Sequence, residues 1–267
     1  MIKIAFFGGG NMGEAMLGAV LGKKLADPAG IAVADISRER LDSLKKRYGV
    51  SVGESGKEAA AGRDIVVLAV KPQNLPEVAA DLKSQLEPRQ LLLSIMAGVR
   101  IAKLSAGLGH DCIVRVMPNT PAQVGYGASG WTATSAVTGE QKEWTRAILG
   151  AMGKEIYFAD EACLDMVTAV SGSGPAYFFL LAEALIDAAV SLGLPRPEAE
   201  ALVSQTMLGS AHLMVQSGRP PAELRRNVTS RGGTTEKALG VFEAGGFTRL
   251  VEDAVKAAHR RAKELGS

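Results

Sequence analysis

IAFFGGGNMG, residues 4–13, decides the fold. A short apolar run ends on Gly8. Gly10 and Gly13 then complete a GxGxxG spacing where a helical pattern begins at Asn11. A lone GxGxxG is weak evidence, but a strand directly before it and a helix directly after it are what a dinucleotide site requires. Gly8 permits the tight turn, Gly10 lets the backbone approach a pyrophosphate, and Gly13 lets the helix pack on the strand. Gly9, Asn11 and Met12 fill the motif, and the N–H groups of the first helical turn face the phosphates.

Outward from this motif, strand and helix patterns alternate to about residue 158. Residues 2–7, 31–34, 64–70, 90–95 and 113–117 read as strands; 11–24, 37–48 and 75–86 read as helices. The run DIVVLAV (64–70) is continuously apolar, as expected where both faces of a sheet are covered. Such alternation predicts an α/β domain with a parallel sheet wrapped by helices. Beyond residue 158 the strand patterns stop. Residues 162–170, 175–192, 197–217 and 235–265 read as helices, broken by SGSGP, GLPRP, SGRPP and SRGG. The expected domains are therefore 1–158 and an all-helical 159–267. The second is so rich in Ala, Leu and Val that a homodimer, with the helical domains packed together, is the expected way to bury it.

Composition narrows the function. A chain of 267 residues buries roughly three quarters of its unfolded surface, so it needs no disulfide or metal to hold it. A net charge of +2, with no dominant basic block, points away from nucleic acid and anionic membranes. Cys112 and Cys163 lack CxxC spacing and read as small buried hydrophobes. His110, His212 and His259 lack zinc spacing, so no metal site is expected. The start of the chain has no signal-peptide pattern, and Glu183 and Asp187 interrupt the longest apolar run, near 175–194. A cytoplasmic protein is expected.

Other cofactor contacts follow from the strand ends. Ligands on open parallel sheets bind beyond the carboxyl ends of the strands. That places Val70, Lys71 and Pro72 after the third strand, and Ser94, Ile95, Met96 and Ala97 after the fourth, beside the glycine loop. Asp35 follows the second strand, where an acid holds the ribose 2′-OH of NAD; it also reads as a turn or cap residue. Ser37 and Arg38 come next, and Arg38 is placed to pair with a 2′-phosphate. These residues leave the choice between NADPH and NADH open.

In order along the chain, GGGNMG, AVKPQ, MPNTPAQVGYG (117–127), SGSGPAYFF (171–179) and NVTSRGGTTEKAL (227–239) resemble pyrroline-5-carboxylate reductases over essentially the whole length. The resemblance implies a Rossmann domain followed by a helical dimerisation domain. It also implies NADPH as usual cofactor, with NADH possible, and a homodimer or a ring of dimers. By matched position, the glycine loop, residues 70–72 and residues 94–97 are cofactor contacts, and Asn227 lies near the nicotinamide end. Ser230, Gly232, Gly233, Thr234 and Thr235 are the loop that holds the carboxylate and ring nitrogen of pyrroline-5-carboxylate, with the Thr235 hydroxyl facing that nitrogen. Gly232 and Gly233 are expected to expose N–H groups at the start of a helix. Whether Thr235 donates a proton or only orients the ring is left open. Two departures stand out: Gly56 occupies a position where many members carry asparagine at the cofactor ribose, and Arg231 one where some carry proline.

Two other readings compete. A 3-hydroxyacid dehydrogenase also joins a dinucleotide domain to helices, but it needs a lysine shortly after the Gly-rich junction, and GSGPAYFFLLAE has none. A non-catalytic dinucleotide-binding regulator would have no use for a second anion-ready helix start at Gly232 to Thr235.

Overall fold

The computed structural model of the chain describes residues 1–53 and 55–266. The elements run β1 (Ile4–Phe7), α1 (Asn11–Gly22), β2 (Ile31–Ala34), α2 (Arg38–Tyr48), β3 (Ser51–Gly53), α3 (Gly56–Ala60), β4 (Ile65–Leu68), α4 (Leu75–Leu82), β5 (Leu91–Ser94), α5 (Ile101–Leu108), β6 (Ile113–Met117), β7 (Gly127–Ala133), α6 (Gly139–Met152) and β8 (Gly153–Tyr157). Six helices follow: α7 (Cys163–Val167), α8 (Gly174–Ser191), α9 (Arg196–Ser217), α10 (Pro221–Asn227), α11 (Thr234–Ala244) and α12 (Phe247–Leu265).

One sheet contains all eight strands in the order β3-β2-β1-β4-β5-β6-β7-β8. β1, β2, β4 and β5 are four-residue strands with every residue buried. Their side chains alternate between two apolar layers: Ile4 and Phe6 pack into one, Ala5 and Phe7 into the other. A strand covered on both faces must be apolar throughout. β1 pairs in parallel with β2 and β4, and Phe7 is level with both Ala34 and Leu68. Three carboxyl ends thus finish together where the strand order reverses, the topological switch point of a doubly wound sheet.

The parallel expectation holds through β6 and then fails. β7 runs antiparallel to β6, with Val116 opposite Trp131. Residues 118–126 link the two, and that link is too short for the crossover a parallel pair demands. α6 supplies such a crossover, so β8 returns parallel to β7. Thr138 starts α6 in a capping box with Gln141. Of the two cysteines, Cys112 is buried as expected, whereas Cys163 is only partly buried.

Two compact units result: Met1–Ser173 together with the chain from Ala258 onward, and Gly174–Ala257. Residues 159–173 join the sheet through a buried ion cluster. Arg115 on β6 donates from Nη1 to Glu161 at 2.8 Å, and Asp165 on α7 accepts from Arg100 at 3.0 Å. Arg115 and Asp165 are almost fully buried, so each charge needs the other. Between α7 and α8, Thr168–Gly172 forms a π-turn.

The second unit is entirely helical. The helical pattern expected over 235–265 is split, because Gly245 and Gly246 part α11 from α12 and Gly246 takes a positive φ of 69°. Among the described residues of this unit, only Gly174 and Ala199 are buried.

Candidate active site

The glycine loop is fixed by close backbone approaches. Gly8 has φ +100°, and a Cβ there would lie 2.7 Å from the Ala69 carbonyl oxygen. A Cβ on Gly13 would lie 2.3 Å from the Gly8 oxygen. Both positions therefore exclude any side chain, as the motif requires. Gly10 differs. It is exposed, and a Cβ on it would meet nothing within 4 Å. It is the N-cap of α1, which has no side-chain cap, so the N–H groups of Asn11 and Met12 lack partners within the helix. Open space beside these donors fits a pyrophosphate. Gly9 is buried and turned toward α2.

Beyond the strand ends lies a cleft of about 550 Å³, lined by Gly8, Gly10, Asp35 and Ile36 on one side and by Val70, Lys71, Glu77 and Asp81 on the other. Among the described residues Lys71 is its one lining cation. Asp35 serves the loop as well as the cleft: Oδ2 accepts from the Gly9 N–H at 2.7 Å and Oδ1 from the Ser37 N–H at 2.8 Å. The Ser37 hydroxyl caps α2, accepting from the Arg40 N–H. Arg38 is exposed and 3.9 Å from Asp42.

The fourth-strand loop is more buried than expected for a contact loop. The side chains of Ser94, Ile95 and Met96 lie in the core, and Ala97 alone is exposed. The Ile95 N–H donates to Leu68 and the Met96 N–H to the Ser94 hydroxyl. Any contact here is left to the main chain and to Ala97. Pro72 is exposed at the start of a short 3-10 turn. Gly56 has a physical reason for lacking a side chain: its N–H donates to Asp81 at 3.0 Å, and a Cβ would lie 2.5 Å from both Asp81 Oδ2 and Phe7 Cε1. Sequence reasoning missed Ile36, which directly follows Asp35, and it missed Glu77 and Asp81, which only the tertiary fold brings to the cleft.

In the second unit, Asn227 ends α10 and is exposed. Gly232 turns the chain at φ +73°, and Gly233 is the N-cap of α11, again without a side-chain cap. The two glycine N–H groups are not free, contrary to expectation. Gly232 donates to Glu236 Oε2 at 2.8 Å and Gly233 to the Ser230 carbonyl at 3.0 Å. Glu236 is the third residue of the helix, and its carboxylate reaches back as in a capping box. The Lys237 N–H already bonds to the Gly233 carbonyl. The first-turn N–H groups of Thr234, Thr235 and Glu236 and the two threonine hydroxyls are the donors left for an anion. Thr235 is partly buried; Ser230 and Thr234 are exposed.

Backbone donors laid out for a pyrophosphate at the switch point of a doubly wound sheet mark a dinucleotide-dependent oxidoreductase of Rossmann type. Comparison with known proteins narrows the class. The family model for pyrroline-5-carboxylate reductase dimerisation matches residues 161–265, and that for NADP oxidoreductase, coenzyme F420-dependent, matches 3–98. A pyrroline-5-carboxylate reductase of Pseudomonas aeruginosa is 46% identical over 98% of this chain and 96% of its own. The solved reductase of Coxiella burnetii is 40% identical with a TM-score of 0.94, covering 100% of this chain and 99% of its own. That of Plasmodium falciparum, solved with NADP bound, is 34% identical with a TM-score of 0.89, covering 100% and 98%. The chain belongs to the pyrroline-5-carboxylate reductase family.

Proposed function

We propose that the chain reduces 1-pyrroline-5-carboxylate to L-proline with NADPH, the last step of proline biosynthesis, as a cytoplasmic homodimer or a ring of dimers. The observation that carries this reading is the uncapped helix start behind the Gly232–Gly233 turn, at Thr234 and Thr235, in a chain matched over 98% of its length by a reductase of this substrate.

The N–H groups of Gly10, Asn11 and Met12 hold the cofactor pyrophosphate, Asp35 and Lys71 flank it in the cleft, and the main chain at Ala97 borders the nicotinamide end. Asn227 and Ser230 belong to the same machinery by matched position. Bound there, NADPH supplies a hydride to the imine carbon while the π electrons pass to the nitrogen, which already carries its proton. The chain's own part is to bind and orient. Thr234 and Thr235 hold the substrate carboxylate at the positive end of α11, an interaction worth about 0.3–1 kcal/mol when exposed and ~2 when partly buried. The Thr235 hydroxyl fixes the ring nitrogen. Orientation of two reactants contributes roughly 7–11 kcal/mol, whereas a general acid contributes about 3–5 kcal/mol. A site without a dedicated acid therefore keeps the larger contribution.

The helical unit supports the dimer. α8 belongs to a run, Cys163–Ser191, that is long and apolar enough to cross a membrane by length and composition. Yet the unit buries almost nothing of its own, and exposed apolar surface of this extent must be covered. A second copy covers it. The direct test is absorbance at 340 nm with purified protein, pyrroline-5-carboxylate and NADPH. Oxidation of the cofactor is expected; no oxidation with either NADPH or NADH overturns the reading.

A further inference from the structure

Arg40 follows β2 among other polar residues, yet it does not line the cleft. Its guanidinium turns inward. Nε donates to the carbonyl oxygen of Gly9, and Nη2 donates to a carboxylate oxygen of Glu14, in the first turn of α1. Glu14 is held in turn: its other oxygen accepts from Arg47 at 2.9 Å and from the Tyr48 hydroxyl at 3.2 Å. Burial and the Glu14 charge raise the Tyr48 pKa, so that hydroxyl keeps its proton and remains a donor. The Arg40 and Glu14 side chains are 28% and 17% exposed, and partial shielding from water strengthens such charge-assisted bonds.

A trans peptide sets its C=O and N–H on opposite sides of one plane, and the described residues contain no cis bond. The Gly9 carbonyl and the Gly10 N–H share such a plane. With the carbonyl drawn toward Arg40 on α2, the Gly10 N–H points the other way, and Gly10 lines the cleft. The preceding plane is fixed too. The Gly9 N–H is held by Asp35, and the Gly8 carbonyl lies against Gly13.

We propose that Arg40 is a positioning residue for the cofactor: by holding the Gly9 carbonyl it aims the Gly10 N–H at the pyrophosphate, the part common to NADPH and NADH. This rests on the reading that the glycine loop holds the dinucleotide. It separates Arg40 from a 2′-phosphate ligand, which would act on NADPH alone.

The test is the dissociation constant of each reduced cofactor, read by its own fluorescence, for wild type, Arg40→Met, Arg40→Lys and Glu14→Gln. Arg40→Met is expected to weaken NADPH and NADH by the same factor, about ten-fold, as for the loss of one charge-assisted hydrogen bond. The turnover at saturating cofactor and the KM for the imine stay as they were, a split that mere loss of folded protein would not produce. Arg40→Lys, which keeps the charge without the fork, recovers part of the affinity. Should Arg40→Met not fold, Glu14→Gln carries the same expectation with a smaller factor. A loss confined to NADPH, or unchanged affinity for both in a folded variant, overturns the proposal. Wild type that binds neither cofactor fails the proposed function itself; wild type that binds both while the variants match it fails only the role of Arg40.

Discussion

The carboxylate of Asp35 accepts the main-chain N–H of Gly9 at 2.7 Å, across the carboxyl ends of β1 and β2. Its other oxygen takes the Ser37 N–H, so this acid braces the glycine loop as well as lining the cleft. Asp35→Ala removes both the brace and the negative charge that opposes a 2′-phosphate. We expect kcat/KM to fall about ten-fold for NADH, the loss of charged hydrogen bonds at the loop, and to fall less for NADPH. Steady-state kinetics with each cofactor checks this. A rise in the preference for NADH would show that the carboxylate does not face the ribose end.

Gly10 and Gly13 belong to one motif but should fail in different ways. A methyl group on Gly13 meets the Gly8 carbonyl oxygen, whereas one on Gly10 meets no protein atom. Gly13→Ala is expected to lower stability by about 1–3 kcal/mol, the range for overpacking, visible as a lower Tm. Gly10→Ala is expected to keep its Tm and weaken both cofactors at least ten-fold, because the methyl occupies the pyrophosphate's place. Tight cofactor binding by Gly10→Ala would remove the phosphates from this loop.

For Thr235 the size of the effect separates two roles. One neutral hydrogen bond is worth about 0.5–1.5 kcal/mol, whereas loss of a general acid costs typically 10²–10⁴-fold in rate. Since the substrate can arrive as an iminium, we expect Thr235→Ala to lower kcat about ten-fold or less and leave cofactor affinity unchanged. A loss of 10²-fold or more at neutral pH, with Thr235→Ser near wild type, would make the hydroxyl a proton donor. Wild-type kinetics in the alanine variant would take Thr235 out of the site.

What the sequence disclosed follows from how local each signal is. β2 and β6 fall on the residues read as strands, because short apolar runs with turn residues at their ends admit few alternatives. β7 was not read as a strand: GASGWTA carries glycines and serine, and its register comes from pairing with β6. β3 is a three-residue edge strand whose apolar content is one valine. The same divide runs through the site. Gly8, Gly10 and Gly13 are legible because their spacing is local. Asp81, far along the chain from the glycine loop, reaches the cleft only through α4, and the inward turn of Arg40 depends on Glu14 one helix away. The free glycine donors expected at residues 232 and 233 were lost to Glu236 and Ser230, a choice of rotamer and turn that spacing does not encode.

The helical unit offers the largest expected effect. Phe178 and Phe179 on α8 are 63% and 62% exposed in a unit whose described residues bury only Gly174 and Ala199. Burying one such side chain is worth about 1.5–3 kcal/mol, and in a two-fold dimer every substitution counts twice. Phe178→Asp should therefore cost roughly 3–6 kcal/mol of dimer stability, raising the dimer dissociation constant about 10²–10⁴-fold. Sedimentation over a range of protein concentrations measures this directly. The same variant should lose helicity by circular dichroism once it dissociates, since the unit has no core of its own to fall back on. A dimer of unchanged affinity would show that this face of α8 is not covered by the second copy. A helical monomer of full stability would show that the unit needs no partner.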